Sequence, residues 1–128
     1  MENNKKISVL ISVFNQEKYI GRCIRSLLSQ TLKDDLYEII VVNDGSTDKT
    51  PYALKLFTDP NKSLVKVINN DKNIGLPASI NKAIHNSKSE YFVRVDSDDY
   101  VNAKFLDYLY FYLSQNADVD AVACDYFL

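Results

Sequence analysis

Short apolar runs alternate along the chain with longer segments in which apolar residues recur every three or four positions. The short runs are rich in β-branched residues, a pattern typical of parallel strands that are covered on both faces. They predict five strands, at residues 7–13, 38–43, 64–69, 91–95 and 119–127. The longer segments have the period of amphipathic helices. They predict four helices, from residue 17 to about 30, from the turn at 44–48 to about 59, after the turn at 75–77, and from about 103 onward.

Strands that alternate with helices at this spacing predict an α/β fold, in which a mostly parallel sheet carries helices on both faces. With 128 residues, the chain forms one domain at most. Ligands of such sheets bind beyond the carboxyl ends of the strands, where the strand order reverses. If the order is three-two-one-four, the residues that end strands one, two and four meet along one edge: Phe14 with Asn15, Asp44, and Asp96.

Three carboxylates lie within four residues immediately after the fourth predicted strand, at Asp96, Asp98 and Asp99. Like charges packed this closely repel each other unless a cation, hydrogen-bond donors or water compensate them. One interpretation is a solvated turn, because Asp and Ser favour turns and helix N-caps. The other is a site for Mg²⁺ or Mn²⁺, which takes oxygen ligands from carboxylates, water and substrate phosphates.

Several other phosphate and metal sites are excluded by residues that the chain lacks. The turn after strand one, at residues 14–18, has no glycine, so it is neither a dinucleotide fingerprint nor a phosphate-binding loop. A calcium-binding loop that starts at Asp96 would need glycine at its sixth position and glutamate at its twelfth. The chain has Val101 and Asp107 there. These exclusions leave one kind of phosphate site, in which a cation bound to Asp98 neutralises a diphosphate.

Three further residues each have two interpretations. Asp44 is either a turn or N-cap residue, or a carboxylate that accepts a hydrogen bond from a nucleoside. Phe14 is either part of the core or a surface on which a base stacks. His85 is a lone histidine late in the third predicted helix, with no Cys or acidic partner in view, so a ligand or catalytic role is the minor alternative.

The 15 basic and 17 acidic residues nearly balance, which argues against a nucleic-acid partner. Cys23 and Cys124 both lie in apolar settings and are predicted to be buried thiols, which favours a reducing cytoplasm. No apolar run approaches the roughly 18 residues needed to cross a bilayer. We therefore expect no transmembrane segment, and peripheral association with the inner face of the membrane stays open.

Four stretches of the chain carry a resemblance to a known family: ISVLISVFNQEKYI at residues 7–20, SLLSQT at 26–31, VVNDGSTD at 41–48 and DSDD at 96–99. In this order and spacing they resemble the successive signatures of the family-2 inverting glycosyltransferases. The resemblance implies a GT-A fold and a nucleotide-sugar donor, commonly a UDP-sugar. It also implies a divalent cation, Mn²⁺ or Mg²⁺, held at an Asp-x-Asp motif.

Roles for individual residues on the nucleotide side follow from the same resemblance. Phe14 would stack on or flank the base, and Asn15 belongs to the same nucleotide-binding set. Asp44 would form a hydrogen bond with the base. Asp96 would face the ribose or the water shell of the metal.

The metal side of the resemblance rests on two carboxylates. Asp98 would contact the metal directly, and Asp99 would support it together with Asp96. Two places depart from the family or lack an assigned role. Residues 80–83 read INKA where many relatives carry Arg-Asn-x-Gly, so a donor contact from that arginine is not carried over, and Arg94 has no role in this interpretation.

The activity that the resemblance implies is transfer of a sugar, with inversion, to a glycan or lipid-linked acceptor in cell-surface polysaccharide biosynthesis. In the family the catalytic base follows this segment, so no base is assigned here and one is expected beyond Leu128. We therefore expect residues 1–128 to be the donor-binding part, with little transfer activity alone. Two alternatives are a sugar-phosphate nucleotidyltransferase, which usually needs a glycine- and basic-rich loop near strand one, and a non-catalytic nucleotide-binding module.

Overall fold

A computed structural model describes residues 5–59, 61 and 64–125 of the chain. Within these residues the strands are β1 (Ile7–Val13), β2 (Tyr37–Asn43), β3 (Val65–Asn69) and β4 (Tyr91–Arg94). The helices are α1 (Ile20–Leu28), α2 (Thr50–Lys55), α3 (Leu76–Asn86) and α4 (Phe105–Gln115). The four predicted helices and the first four predicted strands are confirmed. None of the helices in this part of the chain is long and apolar enough to cross a bilayer.

The strands form one parallel sheet in the order β3-β2-β1-β4, which is the condition under which the ends of strands one, two and four meet. Val13 pairs with Asn43, so β1 and β2 end side by side. On the other side of β1, Leu10 pairs with Arg94 at the end of β4. Because all strands run in the same direction, the loops that follow them open on the same edge of the sheet.

The core lies on both faces of the sheet, because successive side chains of a strand point to opposite faces. One face of β1 packs against α1, α2 and α4, through Val9, Ile11, Val13, Ile20, Cys23, Ile24, Leu27, Leu54 and Leu106. The other face packs against α3, through Leu10, Ile40, Val42 and Ala83. The prediction of helices on both faces is confirmed.

The fifth predicted strand is wrong over the residues that the structure describes. Residues 119–125 form no strand, and residues 126–127 lie outside the described part. Asp120, Ala121 and Val122 instead line a groove beside β4 and α4. A strand requires a neighbouring backbone that completes its hydrogen bonds, and an apolar pattern alone does not supply one.

Two predictions of burial are also corrected. Cys23 is buried as expected, but Cys124 is exposed, because it lies in the segment that does not join the sheet. The apolar pattern from about residue 103 onward also predicts that Tyr112 faces the core, but this residue is 48% exposed. Since α4 is apolar around most of its circumference, its pattern does not show which face packs against the sheet.

Candidate functional site

The loops that follow β1, β2 and β4 bring the predicted site residues to one edge of the sheet. Phe14 directly follows β1, and Asp44 directly follows β2. The backbone N–H of Asp44 donates to the carbonyl oxygen of Val13 at 2.8 Å, which continues the pairing of the two strands into the loops. The Phe14 ring is 45% exposed, so the alternative in which it belongs to the core is wrong.

Asn15 locks the loop after β1 to the loop after β2. Its backbone has a φ of 49°, a left-handed conformation that Asn adopts more readily than most residues. Its Oδ1 accepts hydrogen bonds from the backbone N–H of Thr47 at 2.8 Å and of Asp48 at 3.3 Å. Its own N–H donates to Ser46 Oγ at 3.1 Å. The structure therefore places the Asn15 side chain against the neighbouring loop.

A reciprocal pair of hydrogen bonds continues the same junction. The N–H of Glu17 donates to Asp48 Oδ2 at 3.2 Å, and the N–H of Lys49 donates to Glu17 Oε2 at 2.8 Å. α1 begins at Ile20, three residues later than predicted, and residues 17–19 form a turn that leads into it. Burial, the largest single influence, raises the pKa of Asp48, but hydrogen bonds from the Thr50 hydroxyl and from backbone amides outweigh it and lower the pKa.

Asp44 is almost completely buried and is held by three donors from one loop, residues 70–75. Only 2% of the surface of Asp44 is exposed to solvent. Oδ1 accepts from Asn70 Nδ2 at 2.9 Å and from the N–H of Ile74 at 2.8 Å. Oδ2 accepts from the N–H of Gly75 at 2.9 Å. Burial, the largest single influence, raises the pKa of this carboxyl, but the hydrogen bonds together outweigh it and hold the pKa below its ordinary value of 3.8.

Loop 70–75 also packs directly on Gly45, which has a φ of 73°. A Cβ at this position would lie 2.6 Å from the backbone nitrogen of Asn73 and 2.6 Å from the carbonyl carbon of Lys72. On the far side of the loop, Lys82 Nζ donates to Asn70 Oδ1 at 2.6 Å. The loop is therefore fixed both to the end of β2 and to α3.

The three clustered carboxylates form an exposed turn, residues 96–99, which we call the acidic turn. The N–H of Asp99 donates to the carbonyl oxygen of Asp96 at 3.0 Å and closes it. Asp96, Asp98 and Asp99 are exposed, whereas Ser97 is buried. Arg94 Nη2 lies 3.4 Å from Asp96 Oδ1, and both side chains are about half exposed. The segment is thus a turn, as the first interpretation predicts, and its carboxylates are also open to a ligand.

Two residues of α1 hold the backbone of the acidic turn, and neither was predicted from the sequence as a site residue. Arg22 Nη2 donates to the carbonyl oxygen of Asp98 at 3.1 Å. The Arg22 guanidinium also lies 4.5 Å from the centroid of the Tyr100 ring, within cation–π distance. Cys23 Sγ lies 3.5 Å from the carbonyl oxygen of Asp96. Burial of the Cys23 thiol, helped by the carboxylates of the turn, raises its pKa to about 12, so it stays protonated.

A divalent cation fits the donor set of the acidic turn in one particular way. Among the described residues, no three Asp, Glu, His or Cys side chains converge into a closed metal site. Mg²⁺ characteristically uses one or two protein carboxylates and takes its other ligands from water and phosphates. The exposed carboxylates of Asp96 and Asp98 suit an ion that arrives with a diphosphate. Among the residues that the structure describes, His85 belongs to no comparable arrangement, and its Nδ1 lies 2.7 Å from the Asn81 carbonyl oxygen on the same helix.

Residues 8–127 match the family model described as Glycosyl transferase family 2. The chain belongs to this family. Its parallel four-stranded sheet with helices on both faces matches the GT-A fold, which confirms the predicted fold class. The stretches that carry the family resemblance also include residues that stabilise the structure. Asn15, Glu17 and Asp48, for example, form hydrogen bonds between the loop after β1 and the loop after β2.

Two curated relatives show which glycosyltransferases this chain is similar to. The chain is 35% identical over 122 residues to an uncharacterized glycosyltransferase of Haemophilus influenzae, across 95% of this chain and 37% of the relative. It is 40% identical over 112 residues to the poly(ribitol-phosphate) beta-glucosyltransferase of Bacillus spizizenii, across 87% of this chain and 18% of the relative. The chain thus spans less than two fifths of the length of either relative.

Crystal structures of TarS from Staphylococcus aureus are similar to this chain in three dimensions. The structure of TarS 1-349 in complex with UDP superimposes with a TM-score of 0.80 and 33% identity, across 88% of this chain and 33% of that chain. The complex of the same TarS segment with UDP-GlcNAc has the same TM-score and identity. The fold match therefore includes one protein, TarS, in complex with a nucleotide and with a nucleotide sugar.

Proposed function

We propose that the protein is a glycosyltransferase that moves a sugar from a nucleoside diphosphate donor, a UDP-sugar, to an acceptor hydroxyl. The observation that carries the proposal is the meeting of three features at one edge of the sheet. These are the exposed Phe14 ring, the ionised Asp44 and the open carboxylates of the acidic turn. Membership of family 2 and the likeness to TarS in complex with UDP and UDP-GlcNAc support the same donor class.

The nucleoside end of the donor would lie between Phe14 and Asp44. An exposed aromatic ring gains roughly 1–3 kcal/mol when a base stacks on it. A carboxylate has about four acceptor positions, and three of those on Asp44 are occupied by loop 70–75. The Ser79 hydroxyl is a further donor to this carboxylate, so a base N–H would share an oxygen that already accepts a hydrogen bond. Asn15 acts at this end by holding the two loops together.

The diphosphate end of the donor would lie at the acidic turn. Asp98, supported by Asp96 and Asp99, would hold Mg²⁺ or Mn²⁺, which when bound stabilises the negative charge on the departing diphosphate. Asp96 would also face the ribose. Arg22 holds the Asp98 carbonyl oxygen and so leaves the Asp98 carboxylate free to turn outward.

The reaction follows from this division of the donor. The acceptor oxygen forms a bond with the anomeric carbon as the bond from that carbon to the diphosphate breaks, and attack from the opposite face inverts the configuration. The protein needs no nucleophile of its own, only a base that takes the proton of the acceptor hydroxyl. We place that base beyond Leu128, with residues 1–128 as the donor-binding part and little transfer activity expected from this part alone. The names of the poly(ribitol-phosphate) relatives support a glycan or lipid-linked polymer as acceptor, in the assembly of a cell-surface polysaccharide at the cytoplasmic side of the membrane.

Calorimetric titration of the full-length protein tests the proposal. UDP, GDP and dTDP are titrated in Mn²⁺ and again in EDTA, on wild type, on Asp98→Ala and on the control Asp118→Ala, which removes an exposed carboxylate after α4. We expect binding that prefers UDP, needs the metal and is lost in Asp98→Ala but kept in Asp118→Ala. If wild type binds none of the three nucleotides, the proposal is wrong. A transfer assay with UDP-sugars and analysis of the product anomer then tests inversion.

A further inference from the structure

The stretch SLLSQT at residues 26–31 covers the end of α1 and the residues after it, and nothing in the proposed chemistry uses it. We propose that Gln30 in this stretch is a positioning residue, which fastens the segment after the acidic turn to α1 and so fixes where the turn presents its carboxylates. The inference rests on the proposed function. It adds to the site a residue that touches neither donor nor metal.

All hydrogen-bonding groups of the Gln30 amide are used. Its Nε2 donates to the carbonyl oxygen of Asn102 at 2.8 Å and to that of Ser26 at 3.0 Å. Its Oε1 accepts from the N–H of Leu106 at 2.9 Å. An amide side chain offers two N–H donors and one carbonyl acceptor, so Gln30 joins three backbone sites at once. One of them lies on α1 and two lie beyond the acidic turn.

The bond to Leu106 satisfies one N–H group at the start of α4, next to those of Lys104 and Phe105, which donate to Asn102. The first N–H groups of a helix have no partner within the helix. At the start of α4, the N-cap residue Lys104 makes no side-chain cap hydrogen bond. Gln30 satisfies the N–H of Leu106 from another part of the chain. The start of α4 is therefore positioned relative to α1.

Neighbours of Gln30 make the same connection along the segment. Ser26 Oγ accepts from the N–H of Val101 at 3.2 Å. The N–H of Thr31 donates to the carbonyl oxygen of Ala103 at 2.8 Å, and the Thr31 hydroxyl donates to the Asp107 carboxylate. These hydrogen bonds hold residues 101–107, which we call the strip, against α1 and the residues that follow it. The strip begins two residues after the acidic turn.

The acidic turn is held at its backbone by Arg22 and Cys23 of α1, and the strip holds the chain that leaves the turn. Its internal hydrogen bond joins the N–H of Asp99 to the carbonyl oxygen of Asp96, and its carboxylates are exposed. A ligand site works only when its first contacts are held to within about 0.5 Å. Gln30 and Thr31 each make two bonds to the strip, and those of Gln30 join backbone atoms on both sides of Ala103. We therefore expect metal-dependent nucleotide binding to weaken when Gln30 is changed.

Two substitutions at Gln30 separate its donor function from its acceptor function. Gln30→Met removes all three bonds at nearly constant length. Gln30→Glu keeps an acceptor for the Leu106 N–H but loses both donors. The exposed neighbour Ser29 provides the control Ser29→Ala. For each full-length variant we would measure the dissociation constant of UDP in Mn²⁺, the hydrogen exchange of the Val101 and Leu106 amides, and the melting temperature.

The expected pattern differs from that of a purely structural residue. Gln30→Met should weaken UDP binding in Mn²⁺ about fivefold to tenfold, the equivalent of one or more hydrogen bonds, and should speed exchange at both amides. Gln30→Glu should keep the slow exchange of Leu106, because its cap survives, and should still weaken UDP binding severalfold. Ser29→Ala should match wild type.

Each outcome decides one of the two proposals. If Gln30→Glu binds UDP in Mn²⁺ as tightly as wild type does, Gln30 only caps α4 and the inference is overturned, even when Gln30→Met does not fold. A melting temperature that falls in Gln30→Met with an unchanged dissociation constant overturns it as well. If wild type and Ser29→Ala both fail to bind UDP, it is the proposed function that is overturned.

Discussion

The loops on the proposed nucleotide side of the site, which we call the nucleotide side, are residues 14–17, 44–50 and 70–75. They bind one another through backbone and side-chain hydrogen bonds, whereas the acidic turn leaves its carboxylates in solvent. Asp44 is 2% exposed, while the Asp96 side chain is 49% exposed. Because a buried carboxylate costs stability unless donors satisfy it, the nucleotide side has to be built before any ligand arrives. The acidic turn needs no bound cation in the folded protein, because water solvates its charges.

This contrast separates two kinds of effect that a substitution can have. Changes on the nucleotide side should alter the free energy of unfolding, because they break contacts between loops that belong to the folded state. Changes in the acidic turn should alter ligand binding and leave unfolding nearly unchanged. The comparison would fail if both sides responded in the same way.

Gly45→Ala should give the largest loss of stability. The new Cβ would lie 2.6 Å from two backbone atoms of loop 70–75, and the residue would keep a φ of 73° that alanine disfavours. We expect a loss of roughly 3 kcal/mol or more in the free energy of unfolding, measured by urea titration. The control is Gly21→Ala in α1, where the Cβ would meet only the flexible end of Arg25, 3.2 Å away. That variant should equal or exceed wild type in stability, because Ala favours a helix by about 1 kcal/mol over Gly.

Asp44→Asn should have the next largest effect. The amide supplies one acceptor oxygen where the carboxylate supplies two, so an N–H group of Ile74 or Gly75 loses its partner inside the protein. An unsatisfied buried donor costs about 1–3 kcal/mol, which we expect to find in urea titrations at neutral pH. Asp71→Asn, an exposed change in the same loop, is the control and should be nearly neutral. Equal stability of Asp44→Asn and wild type would show that the loop does not depend on the carboxylate.

Acid should weaken the same contacts, by a smaller amount. The pKa values of Asp44 and Asp48 are lowered in the folded protein from their ordinary value of 3.8. The unfolded chain therefore binds protons first, and these carboxylates contribute stability that is full above about pH 4 and is lost as the pH falls through the folded pKa values. Urea titrations on either side of that range should show wild type losing more stability than Asp44→Asn. Parallel losses in the two proteins would contradict the lowered pKa of Asp44.

The same contrast explains how far the sequence predicts this molecule. Apolar patterns at residues 7–13 and 38–43 predict the buried central strands. These strands depend on the local period, which a sequence displays, whereas the order three-two-one-four is a condition of the predicted site that the structure meets. The signatures also locate Phe14, Asp44 and the acidic turn at one edge of the sheet, as the structure shows.

Other features depend on partners distant in the chain, and the pattern does not display them. Asp44 is satisfied by residues about 30 positions later, and Gln30 reaches a helix more than 70 positions away. The fifth predicted strand fails at residues 119–125 for a similar reason, since its apolar residues carry no information about a backbone partner. The sequence contains one usable signal, because SLLSQT is among the stretches that carry the family resemblance although no site residue is assigned within it.

Asp98→Asn should change the free energy of unfolding least, and this makes it the sharpest test of the contrast. The substitution is the same as at Asp44, but Asp98 is exposed and its backbone carbonyl, not its carboxylate, carries the bond to Arg22. Removing one of three crowded negative charges also relieves repulsion. We expect stability within about 0.5 kcal/mol of wild type in urea titrations, together with weakened UDP binding in Mn²⁺. A loss of stability as large as that of Asp44→Asn would mean that the acidic turn, like the nucleotide side, stabilises the folded protein. The site would then not divide into a half that is built before the ligand binds and a half that depends on the ligand.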